Sequence, residues 1–70
     1  ALVDLDRERE RLQAQVQQLD QEVANSERLL ANRGFVEKAP EAVVQREREK
    51  LASSRERRAK LQQRLALDYP

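Results

Sequence analysis

Cysteine, histidine, methionine, tryptophan and isoleucine are all missing from this 70-residue chain, and glycine, phenylalanine and tyrosine occur once each. Without cysteine there is neither a disulfide nor a thiolate nucleophile, and the absence says nothing about redox compartment. Without histidine as well, a zinc site would need four carboxylates, which is rare. No apolar run approaches the roughly 18 residues of a membrane span, and none has the form of a signal peptide. We therefore expect no metal, no cofactor and no membrane partner.

Ten leucines, nine alanines, eight glutamines and 27 charged residues make up most of what remains. Hydrophobic and charged residues each account for 39% of the chain, and the net charge is only +1. That aliphatic content fills one narrow seam, not a thick core wrapped on every side. So thin a chain has no room for a substrate pocket, which argues against catalysis. The glutamates at 8, 10, 47, 49 and 56 sit among arginines, where nothing tunes them as paired acids and bases. Charge content alone allows disorder, but strong helix formers dominate and point to a long-helix or coiled-coil object. Beginning at Ala1, the chain reads as a piece excised from a larger protein.

Leu2, Arg9, Val16, Val23 and Leu30 share one heptad position, a, while Leu5, Leu12, Leu19 and Ser26 share d. A seam held for four heptads predicts a coiled-coil helix over about residues 2–33. Asn32-Arg33-Gly34-Phe35 then reads as its end. Gly34 would be the left-handed residue past the helix, with Leu30 and Phe35 touching as in a Schellman motif. The joint spans 34–39, with Phe35 and Val36 tucked against Val43 or Val44. Phe35 is read as a packing residue, with stacking on a ligand as the alternative. Pro40 fits the first turn of a second helix over about 40–67, and Asp68 to Pro70 form a fraying end.

The second seam runs Val44, Glu47, Leu51, Ser54, Arg58, Leu61 and Leu65. Glu47, Ser54 and Arg58 interrupt it. Two long helices joined this briefly should be antiparallel neighbours, so the expected class is all-α, a two-helix antiparallel coiled-coil hairpin. One register sets Leu12 beside Leu65, Val23 beside Ser54 and Ser26 beside Leu51. A shift of one layer sets Val23 opposite Leu51 and Val16 near Arg58. A monomer follows, because the chain supplies its own partner helix.

Charge is shared unevenly. Residues 1–40 carry eight acids and six bases, and residues 41–70 carry five acids and eight bases. Folding back gathers Arg55, Arg57, Arg58, Lys60 and Arg64 near Arg7, Arg9 and Arg11 at the open end. Arg33, Lys38, Arg46, Arg48 and Lys50 stand nearer the joint. Such bases suit a phosphate backbone read by shape and charge. The sign alternation through residues 7–11 and 46–50 equally suits a solvated coiled-coil surface.

From Leu29 to Leu51 the sequence resembles the C-terminal coiled-coil arm of bacterial valyl-tRNA synthetases. Gly34, Phe35, Lys38, Ala39, Pro40, Val43, Val44, Glu47, Arg48, Lys50 and Leu51 carry that resemblance. It implies an arm of a large cytoplasmic ligase that reaches the outer corner of tRNA, where the D and T loops meet. Valine activation with ATP, aminoacylation and editing would belong to domains outside these residues, and the fragment itself would need no cofactor. The implied partners are tRNA and the remainder of the synthetase. With tRNA as the expected partner, the contact candidates are the bases read from the charge pattern: Arg7, Arg11, Arg33, Lys38, Arg46, Arg48, Lys50, Arg55, Arg57, Arg58, Lys60 and Arg64. Leu30, Gly34, Phe35, Pro40, Val43 and Val44 would shape the joint. Two alternatives stand beside it: a protein–protein coiled coil, and the C-terminal nucleic-acid-binding hairpin of a ribosome- or DNA-associated ATPase. The latter hairpins usually lack the glycine-phenylalanine to alanine-proline joint.

Overall fold

A computed structural model describes residues 4–68, and everything described is helix, cap or joint. Helix α1 covers Leu5–Ala31, α2 covers Arg33–Lys38 and α3 covers Glu41–Asp68. Leu2, Tyr69 and Pro70, which figured in the sequence reading, lie outside the described residues. The particle measures 55 × 19 × 14 Å, a rod rather than a globule.

Local chemistry sets each boundary. Asp4 caps α1: its Oδ1 accepts from the Arg7 N–H at 3.1 Å, and its carbonyl accepts from the Glu8 N–H at 3.1 Å. Asp6 and Glu8 then sit where the helix dipole favours negative charge, and Arg28 sits in the last turn where it favours positive.

The joint is not the loop expected over 34–39. Asn32 leaves α1 in an extended conformation, φ −80° and ψ 107°, and immediately caps a second helix. Its Oδ1 accepts from the Phe35 N–H at 3.3 Å, while its own N–H donates to the Leu29 carbonyl at 3.2 Å. Gly34 therefore lies inside α2, and no described glycine has positive φ. The Schellman assignment of Leu30, Gly34 and Phe35 is wrong. Asparagine's short acceptor side chain makes it as good an N-cap as any residue, and that role prevailed over a glycine stop. Space still constrains Gly34, since a Cβ there would stand 3.2 Å from Asn32 Oδ1. Ala39 is extended, φ −73° and ψ 149°, as the residue before a proline prefers to be. Pro40 then stands one residue ahead of α3, its carbonyl accepting from Val43 and Val44 N–H.

These contacts give a paired expectation. Asn32→Ala removes a cap and should cost about 1 kcal/mol. Gly34→Ala gains up to about 1 kcal/mol of helix propensity, offset by the crowding of Asn32 Oδ1. It should therefore melt close to the parent chain, and thermal unfolding followed by circular dichroism separates the two.

Burial follows the seam. Leu12, Leu19 and Val23 of α1 and Val44 and Leu51 of α3 are buried, as are Ser26 and Ser54. Val16, Leu61 and Leu65 are half-buried along the same line, while Phe35 and Val36 are half-buried at the joint. Of the two valines expected there, Val44 takes the inward place and Val43 is 40% exposed.

Partners across the helices fall in α3 as they rise in α1: Glu8 with Arg64, Asp20 with Arg58, Ser26 with Glu47. The Ser26 Oγ donates to Glu47 Oε1 at 2.8 Å, so the two polar interruptions of the seam meet each other. Arg58 lays its stem along the seam, and its guanidinium reaches Asp20 Oδ1 at 3.0 Å. No buried side-chain nitrogen or oxygen among the described residues lacks a partner.

Candidate nucleic-acid interface

With the seam of each helix fixed, every other residue belongs to a definite side of the rod. Seven-residue spacing keeps positions on one line, and the lines directly beside the seam form two flanks. One flank combines positions g and c. On α3 it runs Val43, Arg46, Lys50, Ser53, Arg57, Lys60, Arg64 and Leu67, in steps of three and four. On α1 its matching line runs Glu8, Arg11, Gln15, Gln18, Glu22, Asn25 and Leu29. The opposite flank, positions e and b, carries Asp6, Glu10, Asp20 and Glu27 on α1. On α3 its charged residues are Glu41, Arg48 and Arg55.

The helices therefore sort charge by side. The first flank holds six bases and two acids, and the second holds two bases and five acids. On α3 the first flank bears no acid between Val43 and Leu67.

Ion pairs confirm the sorting. Glu8 and Arg64, both at g, meet at 3.1 Å, and Glu27 and Arg55, both at e, meet at 3.6 Å. Gln15, Gln18 and Glu22 of α1 face Arg57 and Lys60 of α3 across an open groove of about 440 Å³, floored by Leu19 and Leu61.

The twelve bases singled out from the sequence do not form one cluster. Arg11, Arg46, Lys50, Arg57, Lys60 and Arg64 share the basic flank, whereas Arg48 and Arg55 lie on the acidic one. Arg58 is in the seam, Arg7 is on the outer side of α1, and Arg33 and Lys38 belong to α2. Several are already engaged: Arg7 with Asp4 at 3.4 Å, Arg55 with Glu27, Arg58 with Asp20, Lys60 with Glu56 at 3.4 Å. Exposed pairs of this kind contribute about 0–1 kcal/mol each and are easily exchanged. Among the described residues, Arg11, Arg33, Lys38, Arg46, Arg48, Lys50 and Arg57 make no ion pair at all. Counting bases along the chain missed the amides Gln15 and Gln18, which the fold places directly across from Arg57 and Lys60. Their signal was available in the heptad lettering, since they occupy g and c of the helix that supplies the other wall.

No group of carboxylates among the described residues could hold a metal ion, and no described helix is long and apolar enough to cross a membrane.

A family model described as the valyl tRNA synthetase tRNA binding arm matches residues 4–67, nearly the whole chain. The chain belongs to that family. The valine–tRNA ligase of Thermotoga maritima is 46% identical over 61 residues, which is 87% of this chain and 7% of that protein. That of Lacticaseibacillus casei is 41% identical over 64 residues, again 7% of the relative's length. The Oceanobacillus iheyensis enzyme is 38% identical over 65 residues. The arm thus spans a small fraction of the curated ligases it matches. No solved structure matches it. Of the residues that carried the resemblance, Val44 and Leu51 are buried and Phe35 is half-buried, while Lys38, Arg48 and Lys50 are exposed.

Proposed function

We propose that this chain is the tRNA-binding arm of a valine–tRNA ligase, folded as a monomeric antiparallel coiled-coil hairpin and working in the cytoplasm. The observation that carries the reading is the family match over residues 4–67. Exposed bases on a rod supply the chemistry such a role needs, because a phosphate backbone is held by charge and shape rather than by base-edge contacts. The arm lays its length against the outer corner of the tRNA and adds affinity and orientation to the parent enzyme. Valine activation with ATP and transfer to tRNA are the work of the rest of the ligase. A monomer is supported by the seam itself, since Leu12, Leu19 and Val23 are buried within the single chain.

The test is deletion of residues 1–70 from the parent ligase. Cognate tRNA binding, measured by filter retention, should weaken markedly, while valine-dependent ATP–pyrophosphate exchange stays at the parent rate. Unchanged tRNA affinity would overturn the reading.

A further inference from the structure

The two flanks differ enough to say which one meets the RNA. Resting on the reading that the arm binds tRNA, we propose that phosphate contact is made by the g/c flank alone. Its residues are Arg46, Lys50, Arg57 and Lys60 of α3, with Gln15 and Gln18 of α1 across the groove and Arg11 further along the same flank. The e/b flank faces away from the RNA.

Three independent features converge on this side. The first is field. Six bases against two acids along one flank give an attractive potential for a polyanion, while the other flank, with five acids against two bases, repels it. The net charge of +1 conceals this polarity, because the two sides nearly cancel.

The second is availability. Arg11, Arg46, Lys50 and Arg57 have no ion-pair partner among the described residues. A phosphate therefore meets them without first displacing a carboxylate. On the far flank Arg55 is held by Glu27, leaving Arg48 as the one unpaired base there among the described residues against four on this side, and Arg58 is spent on Asp20 in the seam.

The third is shape. Arg57 and Lys60 form one wall of the groove whose other wall is Gln15 and Gln18. Neutral amides beside a basic wall donate hydrogen bonds to phosphate or 2′-hydroxyl oxygens and add no repulsion. Glu22 shares that wall and is half-buried, which places the preferred phosphate track toward α3. From Arg46 to Arg64 the stripe runs roughly 27 Å at about 1.5 Å per residue, long enough to follow several successive phosphates.

Two four-site variants of the parent ligase with equal loss of charge test the inference. One carries Arg46→Gln, Lys50→Gln, Arg57→Gln and Lys60→Gln; the other carries Arg7→Gln, Arg28→Gln, Arg48→Gln and Arg55→Gln. All eight sites are exposed, and glutamine keeps helix propensity close to that of arginine and lysine. Cognate tRNA affinity is measured across a salt series, alongside the ligase lacking residues 1–70. The g/c variant should bind about tenfold or more weakly, with its log–log salt slope reduced by roughly 0.7–0.9 per lost contact. The second variant should keep nearly the parent slope. Equal losses in both variants would overturn the choice of flank. So would parent-like binding by the g/c variant while the deletion still binds weakly; in both cases the arm remains a tRNA-binding element. Only a deletion that also binds like the parent would remove the underlying reading itself.

Discussion

Leu19→Ala is expected to lower the stability of the helix pair by about 2–3 kcal/mol, toward the low end for truncating a buried leucine. Leu19 is 7% exposed, and it belongs to the short list of fully inward side chains: Leu12, Val23, Val44 and Leu51 are the others. In a rod with one seam the vacated space opens to water rather than leaving a closed cavity, which keeps the cost low in that range, and five such residues share most of the favourable burial. Each contributes about 1.5–3 kcal/mol relative to exposure. For a chain of this size a loss of that order lowers the melting temperature by roughly 10–20 °C. Leu67, by contrast, is 72% exposed, and Leu67→Ala should stay within about 0.5 kcal/mol of the parent. Thermal melts of both variants by circular dichroism decide the matter. Similar melting temperatures would mean that the seam does not hold the helices together.

The second large effect is expected where the seam is polar. Ser26 is 1% exposed, and its hydroxyl donates to Glu47 Oε1 at 2.8 Å. Glu47→Ala leaves that hydroxyl buried without its partner and should cost about 1–3 kcal/mol. Ser26→Ala alone removes the donor but leaves Glu47 half-buried against an apolar neighbour, and it should cost less. The double replacement Ser26→Ala with Glu47→Leu discards both polar groups and should recover most of the loss, since an apolar pair of similar size is close to neutral. A double-mutant cycle in urea measures the coupling directly. Additive single effects would show that the contact contributes nothing beyond its separate halves.

The alternation of three and four steps was enough to find the buried line, from Leu12 to Val23 and from Val44 to Leu65, because inward-facing positions on paired helices must recur every three and a half residues. What the pattern could not reveal was the register. A heptad seam slid by one layer presents nearly the same leucines to the same partner, so periodicity is blind to the shift. Nor could it reveal that Ser26 and Glu47, which periodicity registers only as gaps, bond to each other. At the joint, Asn32 is both the last residue of one helix's reach and the cap of the next. A single residue with two roles defeats a reading that assigns one boundary to each signal.

The interface was half legible. Arginine-rich stretches stand out along the chain, and every base in them was identifiable. Their side of the rod follows from the heptad lettering once the seams are written out, since Arg55 falls at e and Arg57 at g, but a count of bases along the chain passes over it. What lettering leaves out is the partner of each base, Glu27 beside Arg55 and Gln15 and Gln18 in the groove with Arg57 and Lys60.

The rod's proportions have a mechanical consequence. A body 55 Å long and less than 20 Å wide, held at one end, acts as a lever. A tilt of a few degrees where it is held sweeps the far end by several ångströms, so small adjustments at the anchorage become large displacements beyond it. Its stiffness against bending comes from the buried layers, and those gather toward the joint around Val23, Ser26, Val44, Leu51 and Ser54, while at the opposite end Leu5 and Leu67 are exposed and Leu61 and Leu65 only half-buried. The arm is therefore firmest on the side of the joint and most compliant toward the end that holds Leu5 and Leu67, so that flexing concentrates there while the joint side moves as one stiff body.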